Sequence, residues 1–593
     1  MTAATDTVPA RLLLRANQTP TQPAYWRRGP QGKWHPVTWD GVAGRVNNLA
    51  GQLHRLGLRG GDRVAIMLPT VPEWEYCQLA AHSLGGVVVG LDAHDTPENL
   101  RHILRTVAPV ALIAADAAQL ELLTTACPSA PAVSISLEPS PSASVHCLRD
   151  LLAQPAAPAS NWPAVSPERD ATIVFTSGST GQPKGIAYTH RQLCLAGEAI
   201  VARYPGIDGD SRLACWLPLS NLFQRIINLC AILRGAQSYF VDDPREIAQR
   251  LLEIRPALFI GVPRFYEKLY AGIRAEVAKR PAAIGKLVEW AWDIGTRYQA
   301  AQRRGVPPGL LLSAAYPLAN RFVLGRLRAV MGSDIRFMVS GSAPMPAWLL
   351  EKLHGLGWLV LEAYGISECV IPIASDTPST YRFGSVGRPL PENRIRLADD
   401  GEVLVRGEGV FRGYCGATGD ESPLDGEGYL HTGDLGRLDE DGFLWLTGRK
   451  SEIFKTSTGR RVAPVPVESC LKQLAYVEQA VLFGRNRPVP VALLCLDMAA
   501  LSGQGTDQAL TSEQLEAIGR DLTTACEALP ASQRPAGALV TRRGLSIATG
   551  ELTSNLKLRR ATIETRFGEH LDALYDALAR SVERTRTLVL EAP

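Results

Sequence analysis

Short apolar runs alternate with segments of helical periodicity along the first third of the chain. This alternation is typical of a parallel sheet with crossover helices. The predicted helices are Val37–Leu58, Glu73–Leu84 and Glu98–Thr106, and the predicted strands are Arg63–Leu68, Gly86–Leu91, Ala111–Ala114 and Ala171–Phe175. The stretch Leu137–Asp170 is rich in Ser, Pro and Ala and is interpreted as a surface connection without chemistry.

The pattern changes late in the chain. Gly401–Val405, Leu435–Asp439 and Phe443–Thr447 are predicted strands, and an Asp-Gly turn joins the last two. After a polar break at Gly448–Ser451, a smaller α+β unit follows and ends in a predicted tail helix at Ala561–Leu590. We therefore expect an α/β fold with a large N-terminal domain (1–448), a hinge (449–451) and a small α+β C-terminal domain (452–593).

Composition excludes several classes of protein. The chain has 593 residues, 46% hydrophobic and 20% charged, which is ordinary for a folded globular protein. Its net charge of +3 is too balanced to indicate nucleic-acid binding. No apolar run approaches the roughly 20 residues of a spanning helix, and no signal peptide is recognised at the start. The 11 Cys form no C-x-x-C pair, a usage typical of reduced thiols in a cytoplasmic protein.

The strongest local motif directly follows the strand that ends at Phe175. Its glycines can turn successive backbone N–H groups to one side, hydroxyls add donors, and a lysine adds positive charge, which suits a polyphosphate. The spacing is not that of the GxxxxGK[ST] loop. The motif consists of Thr176, Ser177, Gly178, Ser179, Thr180, Gly181, Gln182, Pro183, Lys184 and Gly185. Thr189 and Gln192, just beyond it, have the spacing of a helix-capping box.

This loop resembles the signature of the adenylate-forming superfamily, which includes acyl-CoA synthetases, adenylation domains of peptide synthetases and luciferases. Further segments resemble that superfamily in the same order, and two of them, Gly261–Lys268 and Arg336–Pro344, are similar to the long-chain fatty acyl-CoA synthetase branch. The others are Leu217–Asn221, Tyr364–Glu368, Tyr429–Asp434, Gly448–Arg449 and Leu552–Arg560.

The resemblance implies activation of a carboxylate by ATP to an acyl-adenylate, followed by transfer to coenzyme A. It implies that Lys557 bridges the carboxylate and the α-phosphate, that Lys184 contacts phosphate and that Glu368 binds Mg²⁺. Tyr364 is expected to stack on adenine, Asp434 to accept from the ribose hydroxyls, and Arg449 to contact ribose or phosphate. The remaining nucleotide-binding candidates are the loop Thr176–Gly181 with Ser342, Gly365 and Ser367.

The other assignments are also implied by the resemblance. Asn221, Phe223 and Ile226 are candidates for the acyl pocket, although an ordinary core helix fits the same apolar pattern. Relatives commonly carry His where Asn221 stands, and Asp or Lys where Ser451 stands. A rotation about Ser451 is expected to bring Gly459 near the path of coenzyme A.

Alternatives remain open at this point. The chain could load an acyl carrier protein instead of coenzyme A, or be a non-catalytic nucleotide- or acyl-binding protein. Leu310–Gly332 mixes apolar residues with three arginines, a composition that suits either contact with a lipid surface or a packed amphipathic helix pair. The packed pair is the favoured interpretation, and the expected location is cytoplasmic, with peripheral membrane contact as the alternative.

Overall fold

The structure is a computed structural model that describes residues 6–154, 164–176, 182–415, 423–502, 509–546, 549–552, 558–580 and 587–592. Among these residues, no helix has both the length and the apolar character needed to cross a bilayer.

A sheet of nine strands forms the middle of the large N-terminal part. Its central strands are parallel, and antiparallel strands close both edges. In spatial order the strands are β16 (Arg388–Pro389), β15 (Ala374–Ser375), β14 (Val360–Tyr364), β13 (Phe337–Ser340), β12 (Leu258–Gly261), β10 (Arg212–Cys215), β11 (Gln237–Phe240), β1 (Pro23–Arg28) and β2 (Trp34–Thr38).

A second sheet has seven strands, and only its last pair is antiparallel. In spatial order these are β7 (His146–Cys147), β6 (Val133–Ser136), β5 (Ala111–Ala114), β3 (Arg63–Met67), β4 (Val87–Gly90), β8 (Asp170–Thr176) and β9 (Lys184–Thr189). The second sheet approaches the connection that follows β10, because a Cβ on Gly90 would lie 2.7 Å from Cα of Ser220. Only a glycine at the end of β4 allows this approach.

Three smaller sheets follow. An antiparallel sheet contains β17 (Asn393–Leu397), β18 (Glu402–Gly407), β19 (Leu430–Leu438) and β20 (Leu444–Arg449). A two-stranded ribbon contains β21 (Phe454–Lys455) and β22 (Arg461–Val462). The last sheet contains β23 (Val477–Phe483), β24 (Val491–Leu496), β25 (Gly537–Thr541) and β26 (Leu588–Glu591).

Helices cover the sheets and connect their parallel strands. In the large part they are α1 (Val8–Gln18), α2 (Trp39–Arg55), α3 (Pro72–Ser83), α4 (Pro97–Val107), α5 (Ala117–Ala126), α6 (Leu148–Ala153), α7 (His190–Arg203), α8 (Leu222–Arg234), α9 (Ile247–Ile254), α10 (Pro263–Ala278), α11 (Ala282–Arg303), α12 (Leu310–Ala319), α13 (Gly325–Arg328) and α14 (Ala347–Leu356). Later come α15 (Pro464–Leu471), α16 (Met498–Ser502), α17 (Ser512–Ala525) and α18 (Arg560–Arg580).

Shorter turns complete the helical elements. A π-helical turn at Asn320–Leu324 continues α12, and 3₁₀ turns lie at Pro244–Glu246, Ala329–Met331 and Ala531–Gln533. The predicted capping box at the start of α7 is confirmed. Oγ1 of Thr189 accepts from the backbone N–H of Gln192, and Oε1 of Gln192 accepts from the backbone N–H of Thr189.

Two sequence-based expectations about secondary structure are wrong. The predicted connection at Leu137–Asp170 contains β7 and α6, because Leu148 and Leu151 supply a buried face within a polar stretch. The predicted tail helix ends at Arg580, and Leu588–Glu591 forms a strand parallel to β25. For this short apolar run, pairing with the edge strand of a buried sheet stabilises a strand more than local propensity stabilises a helix.

Candidate active site

The segment Tyr364–Glu368 leaves the carboxyl end of β14, an edge at which open α/β sheets commonly bind ligands. Its first and last side chains contact two different parts of the molecule, one in the antiparallel sheet and one beside the predicted phosphate loop. The hydroxyl of Tyr188, on β9, donates to the backbone oxygen of Ser367 at 2.5 Å. The segment is therefore tied to both large sheets.

At one end of this segment, Tyr364 joins a polar cluster with Asp434 and Arg449. The Tyr364 hydroxyl donates to Oδ2 of Asp434 at 2.7 Å, and Nε of Arg449 donates to Oδ1 at 2.8 Å. Asp434 and Arg449 face each other across β19 and β20. Burial, together with the Asp434 charge, raises the pKa of Tyr364 well above its usual value. The Asp434 carboxylate is thus held in a fixed orientation.

At the other end, Glu368 is connected to the flank of the phosphate loop. The Tyr414 hydroxyl donates to Oε1 of Glu368 at 2.8 Å, and Nζ of Lys184 lies 4.8 Å from the centroid of the Tyr414 ring. Lys184 pairs with Thr176 across β8 and β9. Burial and the Glu368 charge raise the pKa of Tyr414, so this hydroxyl stays protonated and donates.

The donor chemistry around Glu368 fits Mg²⁺. A carboxylate is a hard oxygen ligand, and Mg²⁺ is commonly held by one or two carboxylates together with substrate phosphates. No group of three or more His, Cys, Asp or Glu suited to a metal occurs among the described residues. At Glu368 an ion would have this carboxylate as a protein ligand, and substrate phosphates could supply others.

Ser342 lies just past the carboxyl end of β13, in the left-handed region at φ 72°. The preceding Gly341 donates its N–H to the oxygen of Gly261 at 3.2 Å. A Cβ on Gly341 would lie 3.6 Å from both the Phe223 ring and the oxygen of Ala363. The strained backbone at Ser342 thus lies next to β14 and the first turn of α8.

An apolar cavity begins beside Phe223. It lies between α7, α8 and the nine-stranded sheet, and its volume of about 40 Å³ exceeds that of a single water but is far below that of a fatty chain. Its lining includes Ile200, Tyr204, Phe223, Ile227, Ile260 and Val339. Among the predicted acyl-pocket residues, Phe223 lines this cavity. Ile226 instead lines a second small space with Leu229 and Arg225, and Asn221 precedes the first turn of α8.

Sequence reasoning missed a buried polar network on α8, because the helix was interpreted as mostly apolar. The two backbone N–H groups of Trp216 and Leu217 lie 3.3 Å from Oε1 of Gln224. Asn228 donates to the buried carboxylate of Glu75 at 2.8 Å, and Arg225 donates to Oγ1 of Thr172 at 2.9 Å. Three polar residues in an otherwise apolar helical segment were the available signal. Their bonds hold α8 against α3 and β8.

Two buried carboxyl groups lie beneath the site. Burial raises the pKa of Glu362, two residues before Tyr364, to about 8 and that of Asp376 to about 7. The backbone N–H of Met345 donates to Glu362 at 3.0 Å, and that of Glu362 lies 3.3 Å from Oδ2 of Asp376. Their mutual repulsion adds to the shift for Glu362. Both groups therefore bind protons near neutral pH, a property that the motifs do not indicate.

Reciprocal ion pairs connect α10 to the C-terminal part. Arg264 pairs with Glu478, and Lys472 lies 3.2 Å from Glu267, whose carboxylate is 3.5 Å from Arg264. A Cβ on Gly544 would be 3.5 Å from Glu478. Strand β23 therefore lies against the first turn of α10, and the turn at Gly544 lies beside Glu478.

The predicted hinge lies beside an anchored lysine. Lys450 contacts Asp400 at 2.6 Å and Glu402 at 2.8 Å, and its N–H donates to the oxygen of Gly433. Ser451 follows and is exposed. Gly459 occupies an exposed turn at φ 82°.

The structure brings several predicted residues together and leaves others undescribed. Thr176, Lys184, Tyr364, Ser367, Glu368, Asp434 and Arg449 are connected through the contacts above, and the backbone of Gly365 belongs to the same segment. Lys557 and the loop residues Ser177, Gly178, Ser179, Thr180 and Gly181 lie outside the described residues. Tyr414 was not identified from the sequence, because the segment Phe-Arg-Gly-Tyr that contains it was not recognised as a motif.

Comparison with solved structures defines the class of the fold. The chain is similar to the A-PCP didomain of carboxylic acid reductase from Segniliparus rugosus in complex with AMP, with a TM-score of 0.77 and 20% identity over 97% of this chain and 82% of that one. It is also similar to ATP-bound MatB from Rhodopseudomonas palustris, with a TM-score of 0.72 and 20% identity over 95% and 99%. These likenesses confirm the predicted α/β fold with a large N-terminal and a smaller C-terminal domain.

Sequence comparison identifies the family. The model of AMP-binding enzymes matches residues 13–415, and that of the AMP-binding enzyme C-terminal domain matches residues 452–579. The chain is 31% identical to a long-chain-fatty-acid–CoA ligase, FadD15, of Mycobacterium bovis over 96% of this chain and 97% of that protein. It is 29% identical to the ligase ACSBG1 of Rattus norvegicus over 92% and 82%. The chain therefore belongs to the AMP-binding enzyme family, which confirms the resemblance.

Proposed function

We propose that this chain is an AMP-forming acid–thiol ligase that activates a hydrophobic, fatty carboxylic acid with ATP and transfers the acyl group to coenzyme A. The naming of the relatives FadD15 and ACSBG1 as long-chain-fatty-acid–CoA ligases supports the substrate class. The single observation that carries the proposal is the segment Tyr364–Glu368. Its first side chain donates to Asp434, the proposed ribose acceptor, and its last accepts from Tyr414, whose ring lies beside the phosphate-loop lysine Lys184.

The chemistry requires two negatively charged reactants to meet at phosphorus. A carboxylate oxygen attacks the α-phosphorus, the bond to the bridging oxygen breaks, and pyrophosphate leaves. Lys184 supplies positive charge toward the phosphates, and Asp434 positions the nucleotide through its ribose, which aligns the reacting atoms. Glu368 would hold Mg²⁺, which would supply positive charge to the phosphates. Lys557 is proposed to bridge the carboxylate and the α-phosphate.

In the second step, the coenzyme A thiolate attacks the acyl carbonyl and AMP leaves. Tyr364 is proposed to lie against adenine, with Gly341 and Ser342 on the opposite side. Arg449, held by Asp434, lies at the junction with the C-terminal part. Phe223 is proposed to line the route of the acyl chain, because it borders both Gly341 and the apolar cavity.

An acid-dependent pyrophosphate-exchange screen tests the proposal. Fatty, aryl and hydroxy acids are compared with and without coenzyme A, and thioester is measured by mass spectrometry. We expect exchange with fatty acids and acyl-CoA only when coenzyme A is added. Exchange with aryl acids alone would overturn the substrate class. Thioester on an acyl carrier protein but not on coenzyme A would overturn the proposed acceptor.

We propose domain limits of 1–448 and 452–593, with the C-terminal domain rotating about Ser451 between the two steps. Two observations support a pivot here. The first family match ends at residue 415 and the second starts at 452, and Lys450 is anchored by Glu402. A Ser451→Pro variant restricts the backbone at the pivot. We expect it to retain pyrophosphate exchange and lose thioester formation, with Ser451→Ala as the control. Equal loss of both steps in Ser451→Pro would contradict the rotation.

We propose that coenzyme A passes the turn at Gly459. The following Arg460 and Arg461 are exposed and carry charge suited to its phosphates. Replacing both arginines with Gln is expected to raise KM for coenzyme A while pyrophosphate exchange stays unchanged. An unchanged KM would remove Gly459 from the proposed path.

A further inference from the structure

Large apolar side chains are exposed mainly on one helical hairpin. Nine of the fourteen that are exposed in the described part of the chain lie between Ile284 and Val330. Four of them, Leu310, Leu311, Leu318 and Phe322, are 92%, 89%, 58% and 56% exposed. We call these four the apolar ridge. Surface leucines scattered singly are ordinary, but a concentration of this kind marks an interaction site.

The ridge is the outer face of a helix whose inner face is packed. Leu311 and Leu318 are seven residues apart and lie on one side of α12, with Phe322 one turn further. On the inner side, Tyr316 stacks on Tyr298 of α11 with ring centroids 3.8 Å apart. The packing of α12 on α11 therefore does not account for the leucines on the opposite face.

The charge around the ridge has one sign. From Ile294 to Ser333 the sequence contains six arginines and no Asp, Glu or Lys. Arg303 pairs with Glu351, and Arg328 donates to the oxygen of Leu356. Arg304, Arg321 and Arg326 are exposed, and the Arg321 guanidinium lies 5.8 Å from the Phe322 ring centroid. An apolar face flanked by cations is the composition of helices that lie in a membrane interface.

We propose that the apolar ridge, together with Arg304, Arg321 and Arg326, docks this protein on an anionic lipid bilayer. The leucines insert among the acyl chains, and the arginines contact lipid phosphates. A second copy of the chain fits the ridge less well, because a two-fold contact would place the arginines of one copy beside those of the other. Docking on a bilayer also agrees with the proposed function, because a fatty acid partitions into bilayers. This last argument alone rests on the proposed function.

Vesicle sedimentation of the full chain tests the docking. Vesicles of phosphatidylcholine with 30% phosphatidylglycerol are compared with pure phosphatidylcholine vesicles at low and high salt. We expect binding to the anionic vesicles that weakens with salt. The double variant Leu311→Asp/Leu318→Asp should lose this binding, and Arg321→Gln/Arg326→Gln should weaken it by about 30-fold. Leu13→Asp, at a residue 56% exposed on α1, is the matched control and should bind normally.

Two measurements show whether each variant is folded: pyrophosphate exchange with a short, water-soluble acid, and the melting temperature. Neither measurement depends on vesicle binding. The proposal is overturned if the wild-type chain does not sediment with anionic vesicles, or if Leu311→Asp/Leu318→Asp sediments as well as Leu13→Asp. It is also overturned if light scattering shows a wild-type dimer that these two aspartates dissociate, because the ridge would then be a contact between copies.

Discussion

The nucleotide-facing and acyl-facing sides of the site differ in how far they are assembled. Around Asp434 and Glu368, hydrogen bonds already fix the polar groups. On the acyl side, the cavity beside Phe223 is lined mostly by apolar side chains and has a volume of only about 40 Å³. A fatty chain therefore requires side chains to move, whereas the polar groups that would face a nucleotide are already oriented. The predictions below test this difference, beginning with the largest expected effect.

Asp434→Ala should lower kcat/KM for ATP by about 100-fold, because hydrogen bonds to a charged group are worth about 1.5–3 kcal/mol and two fixed partners lose their acceptor. Asp434→Asn keeps the size of the side chain and should lower kcat/KM for ATP by about tenfold. Acid-dependent pyrophosphate exchange at varied ATP measures both effects. An Asp434→Ala enzyme with an unchanged KM for ATP would contradict the assignment of this carboxylate to the nucleotide.

Glu368→Gln should lower exchange by about 50-fold at low Mg²⁺ and recover partly as Mg²⁺ is raised, because an amide is a weaker ligand than a carboxylate. Tyr414→Phe removes only the hydroxyl that orients Glu368 and should lower the rate of exchange by about fivefold. The measurement is the Mg²⁺ dependence of exchange. If Glu368→Gln showed the wild-type Mg²⁺ dependence, Glu368 would not be the metal ligand.

Phe223→Ala should change acid preference toward longer or bulkier chains by about tenfold, since a pocket contact discriminates by about 1–3 kcal/mol. Ile226→Ala lies on the same helix, lines the second space and should leave the preference unchanged. The ratio of kcat/KM values for a short and a long fatty acid measures this. Equal changes in the two variants would show that the cavity does not select the acyl chain.

The buried pair Glu362 and Asp376 predicts a smaller effect on stability. Their folded pKa values, about 8 and about 7, lie above the ordinary 4.5 and 3.8. The folded state therefore holds more protons, and stability present at low pH is lost as pH rises toward 8. Glu362→Gln should reduce the fall in Tm between pH 6 and pH 9 by about 2 °C. Exposed Glu440→Gln is the control, and equal slopes in all three proteins would contradict the prediction.

Much of the fold followed from local patterns, and part of the site from motifs. Apolar runs such as Ala111–Ala114 predicted strands correctly because both faces of a parallel sheet are buried. Leu588–Glu591 was missed because its pairing depends on β25, which lies far away in sequence. Motifs pointed to Asp434 and Glu368, whereas Tyr414 and Glu75 contribute through contacts with residues far away in sequence, which no local pattern encodes.

The most direct measurement follows a labelled oxygen. The fatty acid is supplied with ¹⁸O in its carboxylate, together with ATP, Mg²⁺ and coenzyme A, and the products are analysed by mass spectrometry. Attack of the carboxylate on the α-phosphorus leaves one of its oxygens on AMP when the thiol displaces the nucleotide. We expect AMP that carries one ¹⁸O. Unlabelled AMP, or ADP with label in inorganic phosphate, would contradict activation through an acyl-adenylate.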